Sequence, residues 1–347
     1  MDLARVGARL KEFNAPGYRL DQVRRAVFDD AASSYDEISA LPADLRGRLA
    51  QDNPVLSFSC ASVSVSHDSR ARKAVLKLHD GGLIETVLLR PSDTRWTTCI
   101  SSQVGCAIGC TFCATGLMGL SRDLTAEEIT DQVLFWRQFM AREKLEGRLS
   151  NVVYMGMGEP FAAYESVAAS LKILLDQKQF GLGARHISVS TSGLAPQMER
   201  FARDFPQINL ALSLHAANDA LRTKLVPLNK AFPLSRIAQA LKYGLELTGR
   251  KVFLEYVLLR GENDAAANAD ELIAYVKSIG YPQLLHVNLI VFNQTETPHQ
   301  ATSEENARIF QKKLHDAGVL ATVRQNLGQD IQGACGQLVT QSQKVKP

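Results

Sequence analysis

CISSQVGCAIGCTFCATG, residues 99–116, contains four of the six cysteines of this 347-residue chain. Cys106, Cys110 and Cys113 follow the spacing C-x3-C-x2-C, and Cys99 stands seven residues before the first of them. No further Cys or His pair follows at the spacing usual for a structural zinc site, although Cys99 and Cys335 could complete one. Three thiolates can also hold an iron–sulfur cluster that keeps one iron open to a small molecule. The residues alone therefore permit either metal site.

Composition indicates an ordinary globular protein, with 46% apolar and 22% charged residues and a formal net charge of +3. A chain of this length can bury a large core in one sizeable domain with a small accessory one. No stretch approaches the roughly 18 uncharged apolar residues of a membrane span, and the first 20 residues lack an apolar core, so we expect a cytoplasmic protein. The uneven clustering of the cysteines favours metal or redox chemistry over a secreted disulfide framework. The mild positive charge permits nucleic-acid binding without requiring it.

The N-terminal part of the sequence shows two patterns of apolar residues. Apolar residues at spacings of three and four predict a helical accessory domain over residues 1–55. Alternating runs on either side of the turn residues HDGG then predict a β-hairpin or small sheet over residues 56–94. The helical runs are LARVGARLKEF, YRLDQVRRAVF and SYDEISALPADLRGRLA, and the alternating ones are VLSFSCASVSVSH and KAVLKLHDGGLIETVLLR.

From residue 95 to the C-terminus, strands alternate with helices, which predicts a parallel α/β sheet or barrel. Thr125 and Glu128 form a capping-box pattern at the start of one helix. One face of that helix carries Ile129, Val133, Trp136 and Met140. The strand runs are NVVYMGMG, HISVSTSG, INLALSLHA, KVFLEYVLL, LLHVNLIVFN and LATVRQ. Several end in polar or glycine residues, so we expect a polar ligand site at the carboxyl ends of the strands.

Eight segments resemble, in chain order, those of the RlmN/Cfr family of radical S-adenosylmethionine RNA methyltransferases. They are CISSQVGCAIGCTFCATG, LTAEEITDQV, VVYMGMGEP, ISVSTSG, LSLHAAND, EYVLLRGEND, HVNLIVFN and DIQGACGQL, and the resemblance extends from about residue 15 to about residue 340. It implies a partial (β/α) barrel of the radical S-adenosylmethionine type over residues 95–347, preceded by the small helical domain.

The resemblance also implies the chemistry. Cys106, Cys110 and Cys113 would hold one 4Fe-4S cluster, and two molecules of S-adenosylmethionine would be used per turnover. Adenine C2 and C8 are electron-poor carbons that cannot attack a methyl group as nucleophiles, so a radical route is required. In the implied mechanism Cys335 accepts a methyl group from the first cofactor molecule, and a deoxyadenosyl radical from the second abstracts hydrogen from that methyl. The methylene radical then joins protein and base, and Cys99 resolves the adduct through a transient disulfide with Cys335.

Other residues are assigned by the same resemblance. Glu85 matches the proposed proton acceptor, although an outward-facing glutamate is the commoner interpretation of such a strand residue. Gly158 and Glu159 in GMGEP match the segment that holds the amino group of S-adenosylmethionine; a strand-ending turn is the alternative. His215 alone would be interpreted as a hydrogen-bonded structural histidine, and Cys60 as a small buried residue. The further cofactor contacts implied at strand ends are Ser190, Ser213, Leu214, His215 and Asn293.

RNA recognition is the least specific part of the sequence. Basic stretches at residues 18–25 and 69–79 could contact phosphates or simply face solvent, and we expect the module at residues 1–55 to bind folded RNA by its shape. The segments SSQVGC and GMGEP favour methylation at C2 of an adenine in 23S rRNA, with tRNA as a further candidate substrate and C8 methylation as the nearest alternative. A radical enzyme with a non-RNA substrate and a zinc-stabilised RNA-binding protein are hypotheses from different classes. We also expect a monomer that takes electrons from a donor such as flavodoxin or ferredoxin.

Overall fold

The computed structural model describes residues 1–339, so residues 340–347 of the predicted barrel segment lie outside the described residues. The N-terminal elements are α1 Leu3–Glu12, α2 Tyr18–Phe28, α3 Ala43–Asp52, β1 Phe58–Val65, β2 Ala71–Leu78 and β3 Leu83–Ser92. The cysteine region follows with β4 Arg95–Cys99, β5 Gln103–Cys106, α4 Ala114–Leu117 and β6 Gly119–Asp123. The remaining elements are α5 Ala126–Arg142, β7 Arg148–Tyr154, α6 Tyr164–Leu175, β8 Ile187–Thr191, α7 Ala195–Asp204, β9 Asn209–Ser213, α8 Asp219–Leu225, α9 Leu234–Thr248, β10 Val252–Leu258, α10 Ala266–Ile279, β11 Leu285–Val291, α11 Glu304–Asp316 and β12 Leu320–Val323.

Ten strands of the described chain form one long sheet in the order β1-β2-β3-β4-β7-β8-β9-β10-β11-β12, and β5 and β6 form a separate two-stranded sheet. From β4 onward every neighbouring pair is parallel, with β4 beside β7 and β12 at the far edge. Parallel strands need crossover connections, and helices supply them here. The predicted α/β fold with a parallel sheet is therefore confirmed, and the sheet is open because β1 and β12 are not paired with each other.

The predicted hairpin does not stand apart from the barrel. The strands β1, β2 and β3 are antiparallel, as the HDGG turn indicated, but β3 also pairs with β4. They therefore extend the parallel sheet beyond β4. This extension brings residues of β2 and β3 next to the C-terminal segment.

The N-terminal helical region packs against α5 and against the loop that follows α6. Gln138 of α5 donates a hydrogen bond of 2.9 Å to the carbonyl of Ala32, and the rings of Phe28 and Phe180 lie 5.2 Å apart in an edge-to-face contact. The buried residues of α2, Val23 and Val27, belong to the same apolar core as the barrel. The helices that the 3.6-residue periodicity predicts are present, and they share a core with the sheet domain.

The helix α5 shows how local sequence determines an element here. Thr125 caps its first turn and Glu128 bonds back to the Thr125 amide, completing the capping box. The predicted apolar face of this helix is buried, at Ile129, Val133, Trp136 and Met140. Within residues 1–339, the helices are all too short or too polar to cross a membrane.

Candidate active site

The cysteine motif lies on a loop at the carboxyl edge of the parallel strands. Cys106 ends β5, which pairs with β6, and Cys113 precedes α4. Gly105 has a φ of +82°, and a Cβ there would collide with the carbonyl oxygen of Gly119, so only glycine permits this strand pairing. The Thr111 amide donates to a carbonyl at the end of α8. These contacts fix the loop against the barrel.

Three thiols face one cavity of about 160 Å³, those of Cys106, Cys110 and Cys113. Burial raises the pKa of Cys106 to about 12 and raises the pKa of Cys110 and Cys113, and the charges of Cys113 and Cys106 add to the rise at Cys110. A metal that binds them must therefore displace their protons. The donor set is purely thiolate and clustered on one wall, which suits iron–sulfur coordination.

The sequence left two kinds of metal site open for these thiols. Within residues 1–339, no group of three His, Cys, Asp or Glu side chains is arranged to hold a single metal ion. A structural zinc ion takes four protein ligands on one tetrahedral centre. An iron–sulfur cluster is held by thiolates, each on a different iron. The three motif thiols, which line one cavity, suit a 4Fe-4S cluster by their chemistry.

Polar strand ends form the rest of the cavity wall, as the sequence predicted for the carboxyl ends of the strands. Ser190 and Ser213 lie on neighbouring strands, with their hydroxyl oxygens 3.2 Å apart. Gly158 has a φ of +100°, and a Cβ there would lie 2.6 Å from the side chain of Gln103. The cavity-lining residues assigned from the resemblance are Gly158, Glu159, Ser190, Ser213, His215 and Asn293.

Glu159 is buried and holds the turn after β7. Its two carboxylate oxygens accept hydrogen bonds from the amides of Phe161 and Ser192, at 3.0 and 2.7 Å. Burial raises the pKa of Glu159, and these backbone bonds oppose that rise. The carboxylate thus has the turn-forming role considered as an alternative, and it also lines the cavity.

His215 and Leu214 differ in their surroundings. His215 Nδ1 accepts the Val257 amide at 3.1 Å, so the neutral ring carries its proton on Nε2. Burial, together with the charge of Arg222, lowers the pKa of His215 to about 3. Leu214 is fully buried in the core and does not line this cavity, although its backbone carbonyl accepts a hydrogen bond from Arg222. A direct cofactor contact of the Leu214 side chain is thus not part of this geometry.

The segment that carries Cys335 crosses the mouth of the cavity. Asn293 donates a hydrogen bond of 3.0 Å to the carbonyl of Cys335, and Thr115 donates one of 2.6 Å to the carbonyl of Leu338. The amide of Ala114, directly after Cys113, donates to the carbonyl of Gly336. Cys335 consequently lines the same cavity as the three clustered thiols.

A second cavity of about 290 Å³ contains both outlying cysteines, Cys99 and Cys335. Cys99 is buried at the end of β4, and burial and the neighbouring Cys335 raise the pKa of the Cys99 thiol. Both cysteines are free thiols in this structure. Cys335 therefore lies between the cavity of the cysteine motif and the cavity of Cys99.

Glu85 lies beneath the C-terminal segment and lines neither of the two cavities. It is only 2% exposed, so the outward-facing interpretation of this residue is wrong. The Lys73 amine lies 3.1 Å from Oε1, and the amide of Val339 donates to Oε2 at 3.0 Å. Burial raises the pKa of Glu85, while Lys73 lowers it.

Sequence reasoning missed two charged residues of the site, Arg324 and Glu255. Arg324 lines both cavities and donates a hydrogen bond of 3.2 Å to Glu255, which Asn288 also contacts. A glutamate inside the apolar run KVFLEYVLL was the available signal, because a buried strand carries a charge only with a partner. The partners come from β11 and from the residue after β12 and could not be identified from local sequence.

Two smaller predictions need correction. Cys60 is exposed, because β1 is an edge strand whose residues are covered mainly at one end. In the basic stretch 69–79, Lys73 is bound to Glu85, and Arg70 donates to the carbonyls of Arg90 and Pro91. These two cations are therefore held within the protein.

The chain is similar in sequence and structure to known proteins. Residues 100–273 match the model of the radical SAM superfamily. The chain is 40% identical over 336 residues to proteins named "Probable dual-specificity RNA methyltransferase RlmN" from Bacillus mycoides (strain KBAB4) and Bacillus cereus (strain B4264), covering 96% of this chain and 91% of each relative.

A solved structure shows the same architecture throughout. The crystal structure of a radical SAM methyltransferase from Sphaerobacter thermophilus has 43% sequence identity and a TM-score of 0.91, with 97% of each chain covered. The likeness thus extends over nearly the whole of both chains. On this sequence identity and coverage, the chain belongs to the RlmN-type radical S-adenosylmethionine RNA methyltransferases.

Proposed function

We propose that this enzyme methylates C2 of an adenine in 23S rRNA, and that tRNA is a second substrate. The dual-specificity name of the Bacillus relatives supports two RNA classes. The observation that carries the proposal is the position of Cys335 between the cavity of Cys106, Cys110 and Cys113 and the cavity of Cys99. A cysteine that carries a methyl group from one site to a resolving thiol needs access to both.

Cys106, Cys110 and Cys113 would hold the 4Fe-4S cluster, and the polar strand ends would hold S-adenosylmethionine. When bound, these groups supply a methyl group and a deoxyadenosyl radical, with two molecules of S-adenosylmethionine used per turnover. The cofactor contacts proposed for the chain are Gly158, Glu159, Ser190, Ser213, His215 and Asn293, with Leu214 contributing through its backbone.

Residues of the chain itself carry the transferred methyl carbon and accept the proton that the ring carbon loses. Cys335 takes up the methyl group on its sulfur and delivers that carbon to the adenine ring, which leaves a covalent link between protein and RNA. Glu85 accepts the proton lost from the substituted ring carbon. The Cys99 thiolate then attacks the sulfur of Cys335 and breaks its bond to the methylene carbon. That carbon leaves with the electron pair and takes up a proton to become the methyl group of the base, and a Cys99–Cys335 disulfide remains for external thiols to reduce.

We also propose a role for each part of the chain and a source of electrons. The helical domain of residues 1–55 would bind the RNA, the extension of residues 56–94 would support the site, and residues 95–347 would perform the chemistry. The enzyme would act as a monomer and take electrons from a small donor protein such as flavodoxin or ferredoxin.

The test is mass spectrometry of nucleosides from RNA incubated with the reconstituted enzyme, compared with adenosine standards methylated at C2 and at C8. We expect the C2 product in 23S rRNA and in tRNA. A C8 product would replace the proposed regiochemistry, and unmodified RNA beside consumed S-adenosylmethionine would indicate a different substrate. RNA already methylated at the target serves as the matched control.

A further inference from the structure

Lys73 and Glu85 form a nearly buried ion pair under the C-terminal segment. They lie on the neighbouring strands β2 and β3, with the amine 3.1 Å from Oε1 and side chains that are 11% and 3% exposed. Removing two charges from water is costly unless further partners satisfy them. The additional contacts of Lys73 and Glu85 therefore show which part of the chain satisfies these charges.

Those contacts fall on both sides of Cys335. Lys73 Nζ donates to the carbonyl of Gln332 at 3.3 Å, three residues before Cys335. Glu85 Oε2 accepts the amide of Val339 at 3.0 Å, four residues after it. One ion pair thus binds the backbone on either flank of the cysteine.

These contacts differ in kind from two others that hold the segment. Asn293 and Thr115 bind carbonyls of the segment through neutral donors. Upstream of residue 332, the carboxylate of Asp330 accepts the amide of His67 at 2.8 Å. Hydrogen bonds to an ionised partner are about twice as strong as neutral ones. The two contacts from the ion pair should therefore contribute a large share of the energy that keeps the segment docked.

We infer that Lys73 is a positioning residue, which together with Glu85 clamps residues 332–339 so that Cys335 stays between the two cavities. The inference rests on the proposed role of Cys335 as the carrier of the methyl group.

The clamp is tested first without any cofactor, by hydrogen exchange of residues 328–339. Lys73→Met removes the cation, and Val339→Pro removes the amide donor on the other flank. We expect exchange in this segment to become about tenfold faster or more in both variants, as loss of a hydrogen bond to a charged group implies. Lys77→Met is the matched control, because Lys77 is an exposed lysine on the same strand and the same face.

A second readout is the rate of methyl uptake by Cys335 in the reconstituted enzyme without RNA, measured by intact-protein mass. We expect this rate to fall about tenfold in Lys73→Met and to recover partly in Lys73→Arg, which keeps the positive charge. Wild-type exchange and methyl uptake in both Lys73→Met and Val339→Pro would overturn the inference. If the wild-type enzyme acquired no methyl group on Cys335, the proposed function would fail instead, while the exchange measurement would still judge the clamp.

Discussion

Cys99 and Cys335 line the same cavity, although one ends a strand near the start of the sheet domain and the other lies in its C-terminal segment. Burial and the nearby Cys335 raise the pKa of Cys99, which favours its protonated thiol. In the proposed mechanism, Cys99→Ala removes the thiol that releases the adduct. We expect a covalent protein–RNA species to accumulate and methylation to stop below about one turnover, seen by denaturing gel and mass spectrometry.

The matched control for this variant is Cys60→Ala. Cys60 is exposed on β1 and lines neither cavity. It should turn over like the wild type, and an equal loss of activity in both variants would contradict the assignment of Cys99.

Cys335→Ala tests the methyl carrier. Because Cys335 lies across the cavity mouth on a segment separate from the cysteine motif, we expect RNA methylation to disappear while iron and sulfide contents stay at wild-type levels. Elemental analysis and radiolabel transfer from S-adenosylmethionine measure the two quantities. Loss of iron in this variant would make Cys335 a metal ligand instead.

The three motif cysteines should behave in the opposite way. Single Ala variants of Cys106, Cys110 and Cys113 are expected to lose most of the iron, whereas the wild type should contain about four irons and four sulfides per chain after anaerobic preparation. Iron and acid-labile sulfide assays give this result directly. One zinc and no sulfide in the wild type would support the zinc-stabilised RNA-binding protein.

His215 should make the unfolding free energy depend on pH. Its pKa is about 3 in the folded chain, below its ordinary value near 6.5, because burial disfavours the charged ring. Between these values the unfolded chain binds more protons, so stability rises with pH, by at most about 1.4 kcal/mol per pH unit from this group. Denaturant unfolding of cofactor-free protein at several pH values measures the slope.

The comparison variant is His215→Asn, which suits the positive φ of 59° at this position. Its stability should vary less with pH over this window than that of the wild type. His79→Asn, which changes an exposed histidine, serves as the control. Parallel curves for the wild type and His215→Asn would exclude a buried neutral histidine.

The proposed RNA-binding role of the N-terminal helices can be tested without removing them. Their buried face shares the barrel core, so deletion of residues 1–55 would uncover apolar residues of the sheet domain such as Phe180, which packs against Phe28. Reversing the charges of Lys11, Arg25 and Arg48 to Glu leaves those apolar residues covered. We expect RNA binding to weaken about tenfold or more and to depend less steeply on salt, measured by filter binding at several salt concentrations.

A triple charge reversal on α11, at Arg308, Lys312 and Lys313, is the control, because this helix lies at the other end of the chain. Equal loss of RNA affinity in both triple variants would indicate a non-specific charge effect. Unchanged affinity in the N-terminal variant would contradict the RNA-binding role.

Much of the architecture followed from local patterns. The run YRLDQVRRAVF coincides with α2, and the capping box at Thr125 and Glu128 starts α5. The parallel strands were visible as apolar runs because both faces of such strands are buried. The pairing of β3 with β4 was not predicted, since strand neighbours depend on hydrogen bonds between residues that no periodicity connects.

The sequence alone therefore determined which residues could form the metal site, because Cys106, Cys110 and Cys113 lie within one short loop and their spacing is local. It also determined the polar strand ends. Only the tertiary structure decided that Cys335 lines the same cavity as Cys99 and that Glu85 is buried against Lys73. It also decided that the Lys73–Glu85 pair binds the backbone on both flanks of Cys335. These relations arise when the C-terminal segment packs across the sheet edge, and contacts at such sequence separations depend on the whole fold.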